Sequence, residues 1–351
     1  TFDWVYEEEW NDRDGFRWSP DGSLIAYWQL DASGVRDFFL INNTDSLYPH
    51  ITPVQYPKVG TTLSMCRVGV VSAKGGTTRW FDVPGDPRNN YIPRMEWAAN
   101  SKEVALQQFN RLQNVDRLML GDVQTGSTRA IVTETDSAWV EVVDDLEWFD
   151  GGKNFMWVSE RDGWKHVYMI SRDGKTVRLV TPGDYDVVSI QRVDEKNGWM
   201  YFIASPSNAT QHYLYRTSLT KPGKPLLLTP ASVPGTHSYQ LSPNAAYAIH
   251  TFSSFGNPPT IEIVQLPGHT SVRVLQDNKQ LREKVGALKR GEMSFFKVKT
   301  AENVELDGWR MLPPNFDPTK RYPVLIHVYG EPAGQTVIDR WGGTGFLWHL
   351  M

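Results

Sequence analysis

A chain of 351 residues with 40% hydrophobic and 22% charged residues is long enough for two domains, or one large β domain, around a sizeable core. A net charge of −4, with no basic block and no polyacidic tail, argues against a nucleic-acid surface or a solvating arm. No apolar run approaches the roughly 18 residues of a membrane span, and no signal peptide opens the chain, although Thr1 in place of an initiator Met reads as a fragment or a processed form.

The chain opens on Asp3-Trp4-Val5-Tyr6-Glu7-Glu8-Glu9. Three consecutive carboxylates repel one another. A solvated turn tolerates this, but the run gains from it only where a cation is held. Adjacent residues of a strand point to opposite faces, so two of these carboxylates meet one cation only on a helical turn or a bulge.

Long helical periodicity is scarce beyond this point, and 14 tryptophans suit pleated, half-buried surfaces. Short apolar runs follow tight turns: Leu24–Trp28 after Ser19-Pro20-Asp21-Gly22, Val104–Leu106 after Ala99–Lys102, and Phe155–Val158 after Asp150–Lys153. Met200–Ile203 after Glu195–Gly198 and Ala246–Ile249 after Ser242-Pro243-Asn244 repeat the pattern. Trp18, Trp97, Trp148, Val193 and Leu241 stand just before these turns, and after the first gap their spacing is 51, 45 and 48 residues. A period of that size with several strands per unit predicts β-propeller blades, about five of them. The first gap is too long for one blade, so residues 31–60, punctuated by Tyr48-Pro49, Thr52-Pro53 and Tyr56-Pro57, read as an inserted arm or a long surface loop.

The pattern changes near residue 285. Leu275–Gly291 allows a short helix, and Ser294–Lys299 with Glu305–Met311 reads as a hairpin. Arg321–Gly330 ends in a continuous apolar run that predicts a buried strand of an α/β sheet. Several chemistry-bearing motifs are missing. There is no Gly-x-Ser-x-Gly elbow and no His-Glu-x-x-His. Cys66, the single cysteine, rules out an intrachain disulfide and reads as a small buried hydrophobe. Gly342–Gly345 lacks the Lys-Ser or Lys-Thr of a phosphate loop and reads as a turn. The sequons at Asn42 and Asn208 are common by chance. The eight histidines are assigned to structure or surface.

Asp-Trp-Val-Tyr-Glu-Glu-Glu resembles the signature of the dipeptidyl peptidase IV family of serine exopeptidases. Tyr322–Pro332 resembles the first core strand of the hydrolase domain in prolyl oligopeptidase-type enzymes. The two anchors lie in the family's order at opposite ends of the chain. The resemblance implies a mainly β fold, with about five blades of an eight-bladed propeller in residues 1–285. The truncated start of an α/β-hydrolase domain follows in 286–351. It implies removal of X-Pro or X-Ala dipeptides from peptide amino termini by Ser-His-Asp acyl transfer, without metal or cofactor. Glu8 and Glu9 are then the substrate-binding residues that hold the free amino terminus, and Tyr329 is the oxyanion donor. Glu331 stands where the family more often has glycine. The catalytic Ser, Asp and His fall beyond Met351, so the chain alone is expected to be inactive. Homodimerisation through the 31–60 arm and a periplasmic or secreted location are further expectations of the resemblance. A non-catalytic propeller that binds a protein partner, or a pseudoenzyme, is the rival reading. The propeller alone leaves residues 294–335 unexplained.

Overall fold

The computed structural model describes residues 3–221, 223–330 and 334–351. The run after Asp3 forms a helix, α1 (Trp4–Trp10). The first sheet begins with β1 (Phe16–Trp18) and β2 (Leu24–Asp31). The chain then leaves it to form a separate hairpin of β3 (Asp37–Asn42) and β4 (His50–Gln55), and returns with β5 (Met65–Ser72) and β6 (Arg79–Trp80). The sheet order β1-β2-β5-β6 shows that the hairpin is an insertion between neighbouring strands, as the long first gap predicts.

Four more four-stranded antiparallel sheets follow in simple chain order. The second is β7 (Asn90–Trp97), β8 (Glu103–Asn110), β9 (Val115–Asp122) and β10 (Thr128–Thr135). The third is β11 (Glu147–Phe149), β12 (Asn154–Ser159), β13 (His166–Ser171) and β14 (Val177–Leu179). The fourth is β15 (Val187–Asp194), β16 (Trp199–Ala204), β17 (Tyr213–Ser218) and β18 (Leu226–Leu227). The fifth is β19 (Thr236–Leu241), β20 (Tyr247–Ser254), β21 (Asn257–Gln265) and β22 (Thr270–Gln276).

The five repeat positions have one structural meaning. Trp18 pairs with Ile25, Trp97 with Val104, Trp148 with Phe155, Val193 with Met200 and Leu241 with Ala248. Each partner lies seven positions on, so the same first hairpin opens every sheet. At Gly22 (φ 69°) and Gly198 (φ 71°) this hairpin needs the left-handed backbone that glycine adopts without strain. Such repeated meanders are consistent with propeller blades.

The chain divides into two compact units, residues 1–163 with 167–179 and residues 164–166 with 180–351. The first contains α1, the inserted hairpin and the first three sheets apart from His166. Its core joins Tyr6 and Trp10 of α1 to Trp28, Val68, Ile92, Met95, Leu106 and Phe109. A second cluster gathers Leu118, Leu120, Phe155, Trp157 and Ile170. The second unit packs Tyr201, Leu214, Tyr239 and Val264 between strands of its two sheets. Each fully buried side chain of this size stabilises the fold by about 1.5–3 kcal/mol.

After the fifth sheet come α2 (Lys279–Gly286) and an isolated hairpin of β23 (Met293–Lys299) and β24 (Glu305–Met311), both close to expectation. Two expectations fail. Tyr322–Gly330 is not a buried strand: it has no strand assignment, and Val324 (81%) and Ile326 (80%) are open to solvent. A strand of a parallel sheet is stabilised by hydrogen-bonded neighbours and by cover on both faces. Among the described residues no strand pairs with this segment. Gly342–Gly345 is not a free turn either, because Gly342 caps α3 (Gly343–Leu350). No helix among the described residues is long and apolar enough to cross a membrane.

Candidate functional site

Helix α1 has only seven residues. An isolated helix of that length is unstable in water, so its place is dictated by its ends and its buried face. At the N-terminus Asp3 takes an extended conformation, and its Oδ1 accepts from the backbone N of Val5 (3.1 Å) and Tyr6 (3.5 Å). Its second oxygen, Oδ2, accepts from Ser64 Oγ at 2.6 Å, which ties the cap to the strand region that follows the inserted hairpin. This N-cap arrangement satisfies donors that a helix start otherwise leaves bare.

Tyr6 and Trp10 are four apart and lie on one face. Both are buried, Tyr6 to 2% exposure. The Tyr6 hydroxyl accepts from the Ile92 backbone N at 2.9 Å. The Trp10 ring meets Tyr91 edge-on at 4.8 Å. At the C-terminus Asn11 adopts the left-handed conformation (φ 55°) that ends the helix. Arg94 then donates to the helix-end carbonyl of Trp10 (3.0 Å), to Asp12 (2.9 Å) and to Asp144 (2.6 Å). A cation there also complements the negative end of the helix dipole.

The three glutamates are unequal in this setting. Glu7 is half-buried and ion-paired with Arg13 at 2.7 Å. Glu8 and Glu9 are exposed, and among the described residues neither carboxylate has an ion pair or a hydrogen bond. The run sits on a helical turn, as simultaneous contact with one cation requires. Tyr91 and Arg111 complete the electrostatic surroundings. The Tyr91 phenol is pushed up by burial, with the Arg111 charge opposing this and the Glu9 charge adding to it. Beneath the helix, burial pushes the Cys66 thiol up to about 12, so this cysteine is a packed, unreactive group. This surface presents two exposed carboxylates, without an ion pair or hydrogen bond among the described residues, on a helix whose other face is buried.

A family description, "Dipeptidyl peptidase IV (DPP IV) N-terminal region", matches residues 1–259. The chain belongs to the dipeptidyl peptidase IV family. It is 28% identical over 359 residues to dipeptidyl peptidase 4 of Trichophyton rubrum, covering 98% of this chain and 46% of that protein. It is 27% identical over 360 residues to dipeptidyl peptidase 4 of Arthroderma otae, with 98% and 46% covered. The crystal structure of Porphyromonas gingivalis dipeptidyl peptidase 4 superposes with a TM-score of 0.87 at 30% identity, over 97% of this chain and 48% of that one. The chain thus spans about half the length of the curated relatives it matches.

Relative to this family's expected site, Glu8 and Glu9 stand side by side in the first compact unit. Tyr329 belongs to the second unit, in the exposed segment that ends at Gly330, and is itself 58% exposed. Glu331, where the sequence differs from the more common glycine, and Pro332 lie outside the described residues. Sequence reasoning missed Arg94, Asp12 and Tyr91. Arg94 lies 84 positions from Trp10, and no local motif signals that contact. It also missed a histidine cluster. In the fifth sheet His237 Nδ1 lies 2.9 Å from His250 Nε2, and His250 Nδ1 lies 3.0 Å from Glu262. His269 Nε2 lies 2.8 Å from the Tyr239 hydroxyl. Strand pairing, not sequence spacing, assembles these groups. Among the described residues no set of three His, Cys, Asp or Glu is arranged to hold a metal ion.

Proposed function

We propose that this chain is the propeller portion, with the first segment of the hydrolase domain, of a dipeptidyl aminopeptidase that releases X-Pro or X-Ala dipeptides from peptide amino termini. The observation that carries this reading is the pair of exposed carboxylates Glu8 and Glu9, unpaired among the described residues, on a helix seated by its buried face. A substrate ammonium bridging them forms charge-assisted hydrogen bonds, the strong class. Two residues of extended peptide span about 7 Å, so an anchored amino terminus presents the bond after the second residue to a nucleophile at that distance. The glutamates act as a ruler and take no part in bond breaking.

Bond breaking is assigned to a Ser-His-Asp triad in the half of the relatives that this chain does not cover. Tyr329 is assigned to the oxyanion, where one preorganised donor is worth about 3 kcal/mol. This chemistry calls for no metal or cofactor. On the same reading the domain boundary lies near residue 285, and the five sheets are blades of the family's eight-bladed propeller. The exposed hairpin within residues 31–60 serves homodimerisation, with Phe39, Ile41 and Ile51 open on its surface. The parent protein is placed in the periplasm or outside the cell.

The test is release of chromophore from glycyl-prolyl-p-nitroanilide by the full-length parent, with the amino-blocked analogue alongside. Cleavage of the free-amine substrate alone supports the exopeptidase reading. Equal cleavage of both contradicts it. No cleavage of either by folded protein favours a binding propeller or a pseudoenzyme.

A further inference from the structure

The outer side of α1 touches the base of the inserted hairpin. Trp4, 38% exposed, meets the Tyr56 ring edge-on at 5.1 Å. Tyr56 directly follows β4, and its backbone N donates to the Arg36 carbonyl at 3.1 Å, closing the hairpin at its base. Its ring also packs against Phe38 of β3 at 5.7 Å, and Lys58 Nζ lies 5.0 Å from the Phe38 ring centre. A chain of contacts therefore runs Lys58, Phe38, Tyr56, Trp4. Helical periodicity extends it by one step. Trp4 and Glu8 are four apart, on the stripe opposite the buried Tyr6 and Trp10. The buried face fixes the depth of α1, whereas the Trp4–Tyr56 contact bears on the stripe that carries a substrate-binding carboxylate.

We propose that Tyr56 is a positioning residue for the ammonium clamp, coupling the base of the arm to the placement of Glu8. This rests on the reading of Glu8 and Glu9 as that clamp. The contact is made by the ring: no hydrogen bond to the Tyr56 hydroxyl is formed among the described residues. Removing the ring frees α1 to tilt about its buried face. Substrate binding then weakens, and the bond-breaking step does not change.

The experiment uses the full-length parent with glycyl-prolyl-p-nitroanilide and five variants: Tyr56→Ala, Tyr56→Phe, Trp4→Ala, the Trp4→Ala/Tyr56→Ala double variant and Glu8→Gln. Tyr56→Ala is expected to raise KM about fivefold with kcat retained, from the usual size of one aromatic contact. Tyr56→Phe is expected to behave as wild type. Trp4→Ala combined with Tyr56→Ala is expected to add little to either alone, because both remove one contact. Hydrogen–deuterium exchange supplies a readout independent of turnover: Tyr56→Ala should speed exchange of the α1 amides and leave those of β8 unchanged. A wild-type KM and unchanged α1 exchange in Tyr56→Ala, with Glu8→Gln impaired, overturn the positioning role and leave the clamp standing. A wild-type Glu8→Gln overturns the clamp itself. Loss in kcat alone, or a Tyr56→Phe defect equal to Tyr56→Ala, also overturns the positioning role.

Discussion

Two segments of this chain resemble the same enzyme family, and the structure treats them oppositely. Residues 3–11 are seated by contacts with Ser64, Tyr91, Ile92 and Arg94. In residues 322–330 the apolar side chains Val324, Leu325, Ile326 and Val328 are open to solvent. The first segment finds its hydrogen-bonding and packing partners within its own compact unit, and the second has no strand neighbour among the described residues. A family signature therefore says which residues act together, while local order depends on whether their neighbours are present.

The strongest way to break the contrast is to remove the anchor of the ordered segment. Tyr6→Ala deletes a buried ring and strands the Ile92 N–H, and it is expected to cost about 3–5 kcal/mol. Urea denaturation of this chain should show the midpoint fall; an unchanged midpoint would mean that α1 is not part of the cooperative core. Arg94→Ala comes next, since it leaves the largely buried Asp12 without its ion pair. The expected loss is about 2–3 kcal/mol, and Arg94→Lys should recover only part of it because four acceptors share the guanidinium.

The fifth sheet gives a pH readout of the same principle. His237 is buried with its partners in the chain. Its Nε2 lies 2.9 Å from the Val233 carbonyl, which can only accept, so Nε2 carries the proton and Nδ1 faces His250. Burial pulls His237 down to about 4, and pulls His250 and His269 down as well. Unfolded histidine binds its proton near 6.5. The unfolded chain therefore takes up protons first as pH falls. The stability from neutral His237 is present above about 6.5 and is lost progressively towards pH 4, by about 3 kcal/mol in total. Chemical melts at pH 7 and pH 4.5 should show this, and His237→Phe should flatten the difference.

The smallest effect is expected in the open segment. Leu325→Ser should leave the stability of this chain within about 0.5 kcal/mol of the original. It should lower light scattering on concentration, because an exposed apolar run with high strand propensity invites association. A large destabilisation would show that Leu325 is packed, and would erase the contrast.

Much of this was legible in the residues. The sheets were announced by turn residues and by a repeated position, and the structure shows why that position recurs: each opens a hairpin whose partner is seven residues on. The insertion was legible as a first gap too long for one blade, and the acidic run as one whose carboxylates reach a common cation only on a helical turn or a bulge. The Arg94 bridge, the Trp4–Tyr56 contact and the histidine cluster were not, because each joins residues from separate strands or loops through pairing that no local pattern encodes. The apolar run at 322–330 was misread for the converse reason. Its composition fits a buried strand, but burial is a property of neighbours.

The most direct measurement is kcat/KM of the full-length parent on a free-amine dipeptidyl substrate, with Glu8→Gln and Glu9→Gln beside the unaltered protein. The ruler predicts a loss of at least about tenfold in each variant, expressed mainly in KM, since a charge-assisted hydrogen bond is worth about 1.5–3 kcal/mol. Unchanged kinetics in both variants would contradict it and return the two glutamates to the surface of the helix as bystanders.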